Sequence, residues 1–152
     1  MAQWVRLSMP VAALVALAPA GYAVEYMTLP QAQKLAFPSG HFVELQSGRV
    51  WKIEGAGYFF FDRVIGKHLY IDYTVALDTR GRIRRVDILQ YRESYGGEVR
   101  EPSWLAQFVG KTGADPLQVD NDIRNISGAT LSSHHLTEGI KRILAAYENH
   151  LR

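Results

Sequence analysis

The sequence lacks cysteine altogether, and neither sign of charge is in large excess. Without cysteine in 152 residues, thiol catalysis, iron–sulfur ligation, c-type haem attachment, disulfide bonds and a lipid-anchored N-terminal cysteine are all excluded. The 17 basic and 15 acidic side chains leave a net charge of +2, which gives no electrostatic case for a nucleic-acid partner. With 47% apolar and 21% charged residues, the chain has the composition and length of one globular domain.

Several catalytic fingerprints are also missing. No Gly-x-Gly-x-x-Gly segment is present, so direct oxidation of NADH is not supported, and Ser127 is not in a Gly-x-Ser-x-Gly elbow. His134 and His135 are adjacent, so on a helix they point about 100° apart and do not share a metal easily. The other histidines have no ligand spacing to one another, and no metal site is predicted.

The N-terminal segment has the layout of a secretory signal. Arg6 is the only charge in the first 24 residues, and the short apolar run Met9 to Ala18 is followed by small residues. The run is shorter than the ~20 residues that a membrane span needs. We therefore predict a signal peptide, or alternatively a retained N-terminal anchor, over residues 1–23. The domain over residues 24–152 is expected in the periplasm or on the extracytoplasmic face of the membrane.

The first half of the domain carries strand patterns behind one short helix. Thr28-Leu29-Pro30 predicts a helix start, and the helix runs to about Phe37. Alternating or aromatic runs then predict strands over residues 41–46, 50–54, 58–61, 69–77 and 83–91. Asp78 to Gly81 is a hairpin turn, and the alternation slips near Arg84 and Arg85, which indicates a β-bulge.

The second half is mainly helical. Residues 93–98 form a polar, glycine-paired loop, residues 102–109 a short helix, and residues 110–125 an irregular segment. Apolar residues at helical spacing predict an amphipathic helix over residues 133–150, with Ser132 and Ser133 as candidate N-caps. Strands followed by helices, with short antiparallel connections, predict an α+β fold in which flanking helices cover an antiparallel sheet.

The segment Ser127-Gly128-Ala129-Thr130-Leu131-Ser132 precedes this long helix and has the properties of a phosphate site. Gly128 and Ala129 have little side chain, so a ligand can approach their backbone closely. A helix N-terminus adds unpaired N–H groups and a positive dipole, both of which favour a phosphate. A tight turn with a helix cap and no ligand accounts for the same residues.

A wider set of segments in a fixed order moves the interpretation towards a flavin. The segments are Gly66-Lys67-His68, Asp78-Thr79-Arg80-Gly81-Arg82-Ile83, Tyr91 to Val99, Gln107 to Lys111, and Asp122 to Thr130. Over roughly residues 58–147 the chain resembles the FMN-binding domains of the C subunit of the sodium-translocating NADH:quinone reductase and of the G subunit of Rnf-type complexes. It is similar above all to short, stand-alone exported members of that family.

The resemblance implies where the cofactor is held. FMN would be joined through a phosphoester to Thr130 by a separate flavin transferase that uses FAD as donor with magnesium. The loop from Glu93 to Glu98 would lie by the flavin, although Ser94-Tyr95 replaces the Thr-Pro of the complex subunits. The implied cofactor-binding residues are Thr130, Ser127, Gly128, Ala129, Leu131, Ser132, Glu93, Gly96, Gly97 and Glu98.

Three further side chains are candidates, of which Tyr95 lies within the loop and Trp104 near it in sequence, and the third is Lys111. Tyr95 or Trp104 would stack on the flavin ring, and Lys111 would screen the phosphate or the charge of the reduced flavin. A core or surface aromatic and a solvated lysine account for the same residues.

The expected function is electron transfer between redox partners by an exported flavoprotein with covalent FMN. The partners would be the transferase during maturation and a membrane or periplasmic redox protein afterwards. An electron carrier is favoured over a stand-alone enzyme, because no acid–base group specific to a substrate is apparent. Two alternatives stay open: an exported binding or scaffold domain without flavin, and a small flavin-dependent reductase of a diffusible acceptor.

Overall fold

A computed structural model describes residues 24–152, in which six strands form one antiparallel sheet. The strands are β1 (Val24–Glu25), β2 (Phe42–Gln46), β3 (Val50–Ile53), β4 (Gly57–Ile65), β5 (Tyr70–Leu77) and β6 (Ile83–Tyr91), in the order β1-β6-β5-β4-β3-β2. The predicted α+β fold is confirmed. The predicted signal peptide lies outside the described residues. Within residues 24–152, no helix combines the length and apolar character needed to cross a membrane.

The described residues include three α-helices and two 3₁₀ segments. The helices are α1 (Leu29–Ala36), α2 (Pro102–Leu105) and α3 (Thr130–His150), and the 3₁₀ segments cover Gly97–Arg100 and Ala106–Phe108. Thr28 and Gln31 cap α1 reciprocally, each side chain accepting from the backbone N–H of the other. The predicted helix over residues 102–109 is therefore a shorter α-helix that continues as a 3₁₀ turn.

Helices cover both faces of the sheet. On one face, Leu136, Ile140 and Leu144 of α3 are buried in the same core as alternate residues of β5, among them Ile71 and Tyr73. Gly139 permits this close packing, because a methyl group at its Cβ position would overlap the Tyr73 hydroxyl. On the other face, the buried alanines of α1 form a second core with strand residues including Trp51, Phe59, Ala76 and Leu89.

Strand β6 contains two bulges. The pairing with β5 passes from Arg85 directly to Ile83, which leaves Arg84 unpaired and confirms the predicted bulge. A second irregularity leaves Leu89 unpaired, between Ile88 and Gln90, and Leu89 belongs to the core under α1. The extra residue shifts the alternation, so that Ile88 and Tyr91, three residues apart, both belong to the core under α3.

Helix α3 begins three residues earlier than predicted, at Thr130 rather than Ser133. Ala129 occupies the N-cap position, and no side chain makes a capping hydrogen bond there. Ser132 and Ser133 are buried inside the first turns of the helix, so the prediction that they cap it was wrong. Their short polar side chains are typical of caps in sequence, but here they bond neighbouring groups of the fold.

Several chain segments meet at one end of the sheet, which we call the site end. Strand β4 ends here at Ile65 and β5 begins at its partner Tyr70. Strand β6 ends here too, because Tyr91 pairs with both Ile71 and Val24. The start of α3 reaches the same place: His135 Nδ1 lies 2.7 Å from the carbonyl oxygen of Ile65. Residues distant in sequence thus surround one end of the fold.

Candidate functional site

The loop after β6 packs directly against the start of α3. Gly96 has a φ of +85°, and a Cβ atom placed on it would be 2.6 Å from the Tyr91 hydroxyl and 3.0 Å from the Ala129 Cβ. The Ser132 Oγ lies 3.3 Å from the same position. Only glycine adopts this conformation readily and leaves room for these neighbours. The two segments singled out in the sequence, residues 93–98 and 127–132, therefore form one site.

Tyr91, at the end of β6, supports this loop through its hydroxyl group. Its hydroxyl donates to the carbonyl oxygen of Tyr95 and lies 3.4 Å from the Ser132 Oγ. Burial raises the pKa of the Tyr91 hydroxyl, and this effect outweighs the opposing hydrogen bond with Ser132. The group therefore stays a protonated donor. Tyr91 was predicted as the end of a strand and as the first residue of the Tyr91 to Val99 segment, but not as a site residue, because nothing in the alternation separates a supporting tyrosine from a core one.

Glu93 holds the turn between β4 and β5 against the loop. Its Oε1 accepts the backbone N–H of Leu69 at 2.7 Å and that of His68. Burial acts to raise the pKa of Glu93, but the backbone N–H groups of Leu69, His68 and Lys67 outweigh it and hold the pKa below its ordinary value. The carboxylate is thus ionised and joins two parts of the site.

Thr130 is exposed and is the first residue of α3. Its Oγ1 accepts a hydrogen bond of 3.4 Å from the Asn125 Nδ2, which leaves the hydroxyl proton free to be given up. Because no side chain caps the helix, the N–H groups of its first turn are available to a ligand. The positive end of the helix dipole favours an anionic group at the same place.

Gly128 leaves space beside Thr130. It has a φ of +82°, and a Cβ atom built on it would meet no atom within 4 Å. The turn therefore needs glycine for its backbone conformation, and its outer side is open. The turn is fixed from the inner side by Ser133, whose Oγ donates to the carbonyl oxygen of Ala129 at 3.0 Å and accepts from the Ile126 N–H at 3.4 Å.

A cavity of about 560 Å³ lies between the start of α3, the loop after β6 and the turn between β4 and β5. Its lining comprises Lys67, His68, Glu93, Ser94, Tyr95, Gly128, Ala129, Thr130, Leu131 and Ser132. Six predicted residues are among them: Glu93 and the five from Gly128 to Ser132. The volume is in the range of sites for drug-sized ligands and cofactors, so the residues present fit a flavin nucleotide with its phosphate at the helix start.

A second cavity, also about 560 Å³, lies on the other side of the loop. It shares Glu93, Ser94 and Tyr95 with the first, and its remaining lining residues are Tyr26, Tyr91, Gly96, Gly97, Glu98, Arg100 and Glu101. The predicted residues Gly96, Gly97 and Glu98 therefore belong to this second cavity. Ser127 is exposed and is part of neither lining.

Of the three further candidates, the structure keeps only Tyr95 at the site. Tyr95 is 85% exposed and lines both cavities, so its ring is free to contact a ligand. Trp104 is buried, its Nε1 donates to the Arg124 carbonyl oxygen at 2.7 Å, and the ring is a core residue. Lys111 forms a 3.1 Å ion pair with Asp122 instead of facing the cavity lining.

Besides Tyr95, which was a further candidate, three lining residues were not among the predicted cofactor-binding residues: Lys67, His68 and Ser94. The signal that could have found the first two is the segment Gly66-Lys67-His68, which the sequence comparison placed first in the ordered set. The reason it belongs to the site is structural. A Cβ atom on Gly66 would lie 3.1 Å from the Glu93 Oε1 and 3.3 Å from the Ser132 Oγ, so the turn packs onto both other segments.

An antiparallel sheet with a cavity at an uncapped helix start defines an α+β domain whose site suits a ligand with an anionic group. The family model described as the FMN-binding domain matches residues 66–145, which is more than half of the 152 residues. The chain belongs to this family and is a flavin-binding protein whose cofactor is FMN. The matched region includes the turn between β4 and β5, the loop after β6 and the start of α3. No relative among curated proteins matches the chain.

Proposed function

We propose that the protein is an exported flavoprotein that carries FMN covalently on Thr130 and transfers electrons between redox partners. One observation carries the proposal. The exposed Thr130 hydroxyl lies at the uncapped start of α3, in the lining of a cavity whose other residues come from the family's matched segments. The location outside the cytoplasm rests on the signal-like sequence of residues 1–23.

Attachment requires a separate flavin transferase with FAD and magnesium. The Thr130 Oγ1 attacks the phosphorus on the FMN side of the FAD pyrophosphate, a new phosphoester bond forms, the pyrophosphate bond breaks and AMP leaves. The hydroxyl proton passes to a base of the transferase. On the side of this chain, Asn125 orients the oxygen, and the open turn at Gly128 admits the donor. The resulting diester keeps one negative charge at the positive end of the helix.

The residues at the site favour an electron carrier over an acid–base enzyme. Bound FMN supplies electron transfer in single or paired steps. The two titratable side chains that support the loop, Glu93 and Tyr91, bond main-chain groups. Their role is to fix the walls of the cavity and so position the ring. A covalent tether also suits an exported location, where a lost cofactor is not replaced from a cytoplasmic pool. The redox partner is then a membrane or periplasmic protein.

The attachment is tested by replacing Thr130 with alanine and expressing the protein together with a flavin transferase. Intact mass should show one FMN less water on the wild type, mapped to the peptide around Thr130, and none on Thr130→Ala. Ser127→Ala is the matched control, because Ser127 is another exposed hydroxyl of the same turn, and it should keep the added mass. Flavin fluorescence that persists in a denaturing gel of Thr130→Ala would refute the proposal.

A second candidate function is a small flavin-dependent reductase. The second cavity favours it, since it shares Glu93, Ser94 and Tyr95 with the first and offers about 560 Å³ beside the site. A diffusible acceptor such as a quinone could then lie across the loop from the flavin. Turnover of a soluble donor and a quinone without any partner protein would favour the reductase. If the flavin can be reduced chemically but no such turnover is seen, the carrier is favoured.

A further inference from the structure

The turn between β4 and β5 exposes an apolar surface beside the cavity. We call residues 65–70 the hairpin tip. Ile65, Leu69 and Tyr70 are 45%, 44% and 50% exposed. Lys67 and His68 between them are exposed as well. Large apolar side chains that cluster on the surface in this way indicate a contact surface.

We propose that the hairpin tip docks on the interface of a lipid bilayer and so turns the mouth of the flavin cavity towards the membrane. Tyrosine at the headgroup level, aliphatic side chains below it and a lysine beside them form the combination that membrane interfaces favour. The contact deepens the proposed function, since it rests on the extracytoplasmic membrane location and adds an orientation. It does not depend on FMN being covalently attached.

The carboxylates closest to the tip are already bonded to groups of the fold. Asp72, buried behind Tyr70, accepts two hydrogen bonds from Arg92, of 3.0 and 2.9 Å, and lies 2.8 Å from the Arg63 Nε. The Glu93 Oε1 accepts the backbone N–H groups of the tip itself. Lys67, Arg63 and Arg92 thus stand against two carboxylates, Asp72 and Glu93. The net charge around the tip is therefore +1, which anionic headgroups attract.

The path of the chain favours a bilayer as the occupant. Val24 pairs with Tyr91, so the residues that precede Val24 join the domain at the site end. In the sequence, the apolar run Met9 to Ala18 is separated from Val24 by five residues. Five extended residues reach at most ~18 Å, so in a chain that retains the N-terminal anchor, the alternative to a cleaved signal peptide, the site end is kept at the membrane surface.

The exposed side chains inside the cavity have a different partner and are not part of this surface. Tyr95 and Leu131, 85% and 47% exposed, line the cavity next to Thr130 and are covered by the flavin in the proposed function. Ile65, Leu69 and Tyr70 are outside its lining. Bound FMN therefore leaves the apolar surface of the hairpin tip uncovered.

The absence of cysteine makes a direct test possible, because each engineered cysteine carries the only label. The full chain is reconstituted in vesicles of phosphatidylethanolamine and phosphatidylglycerol that contain spin-labelled lipid. Fluorophores are placed through Leu69→Cys or Tyr70→Cys. The controls are Leu35→Cys on α1 and Leu45→Cys on β2, which are 51% and 48% exposed and lie away from the tip. Labels at the tip should be quenched at least about twofold more than the control labels.

Equal quenching at all four positions, or none at the tip, would overturn the proposal. Quenching at the tip by protein-free vesicles supports lipid as the occupant. A tip label that is shielded by a solubilised membrane protein but is not quenched by the labelled lipid shows a protein surface instead and also overturns the proposal. The Thr130→Ala variant separates the docking proposal from the proposed FMN attachment, because it should lose covalent FMN and keep the lipid contact.

Discussion

Gly96 is where the loop after β6 packs against Tyr91 and the start of α3 at the candidate site. Gly110 has the same φ of +85°, but a Cβ atom on it would meet nothing within 4 Å, whereas one on Gly96 would overlap Tyr91 and crowd Ala129. Substituting each glycine by alanine therefore separates the free-energy cost of a left-handed backbone from the cost of steric overlap. The comparison tests, at the scale of single residues, whether close packing of the loop on α3 builds the cavity.

We expect Gly110→Ala to lower the free energy of unfolding by about 1–2 kcal/mol, the cost of the left-handed conformation alone. Gly96→Ala should lose roughly 1–3 kcal/mol more, because the added methyl group displaces Tyr91 or the start of α3. Urea denaturation of both variants measures the difference, and FMN content by absorbance should fall only in Gly96→Ala. Equal losses in the two variants would show that the packing at Gly96 is not tight.

At the scale of elements, the site depends on a single carboxylate that joins the β4–β5 turn to the loop after β6. The pKa of Glu93 is lowered in the fold by the backbone N–H groups of the turn, against the effect of burial. A lowered folded pKa stabilises the protein fully above the unfolded pKa of about 4.3, and the stabilisation is lost as the pH falls through the folded value.

We therefore expect the wild-type protein to lose stability between about pH 5 and the folded pKa of Glu93, and the amides of His68 and Leu69 to exchange faster there. Glu93→Gln keeps an acceptor oxygen but cannot titrate, so its unfolding free energy should depend less on pH in this window. Glu93→Ala removes the acceptor and should be less stable at every pH. Denaturation curves across the range check this, and a Glu93→Gln slope identical to that of the wild type would contradict it.

The elements also show how far the sequence alone could lead. The alternation from Leu69 to Leu77 predicted β5, but not that the intervening Asp72 and Ala76 are buried too. Ala76 shares a core with α1, and Asp72 forms ion pairs with Arg63 and Arg92, so both burials depend on residues from other parts of the chain. The two-residue strand β1 has no periodicity of its own and exists through its pairing with β6.

The candidate site was predictable only in part, because local patterns are visible in the sequence and contacts between distant segments are not. The residues from Gly128 to Ser132 were identified, since a small-residue turn before an amphipathic helix is a local pattern. Where the helix begins was not, because serines within its first turn bond the Ala129 carbonyl or pack under Gly96 instead of capping. Tyr91 was missed because its hydroxyl acquires a role only when the loop folds back over it.

At the scale of the whole molecule, the cavity at the site end and the core under α1 are formed by different residues. The core under α1, which includes Ala32, Trp51 and Phe59, lies on the sheet face opposite α3 and contributes no residue to the cavity at Thr130. FMN bound in this cavity is therefore expected to contact Lys67 and His68 of the hairpin tip, the loop and the start of α3, and to make no direct contact with β2, β3 or α1.

This separation predicts a local rather than a global response to FMN. A tethered cofactor has an effective concentration of order millimolar, so a ring with an intrinsic Kd near 0.1 mM would slow local opening of the site roughly tenfold. Hydrogen exchange measured by mass spectrometry should show this slowing for peptides covering residues 66–69, 93–98 and 128–132. Peptides from β2, β3 and α1 should exchange at the same rate in wild type expressed with and without the transferase, and Thr130→Ala should match the unloaded protein. Uniform slowing across all peptides would instead mean that opening of the site requires unfolding of the entire domain, with the two cores behaving as one cooperative unit.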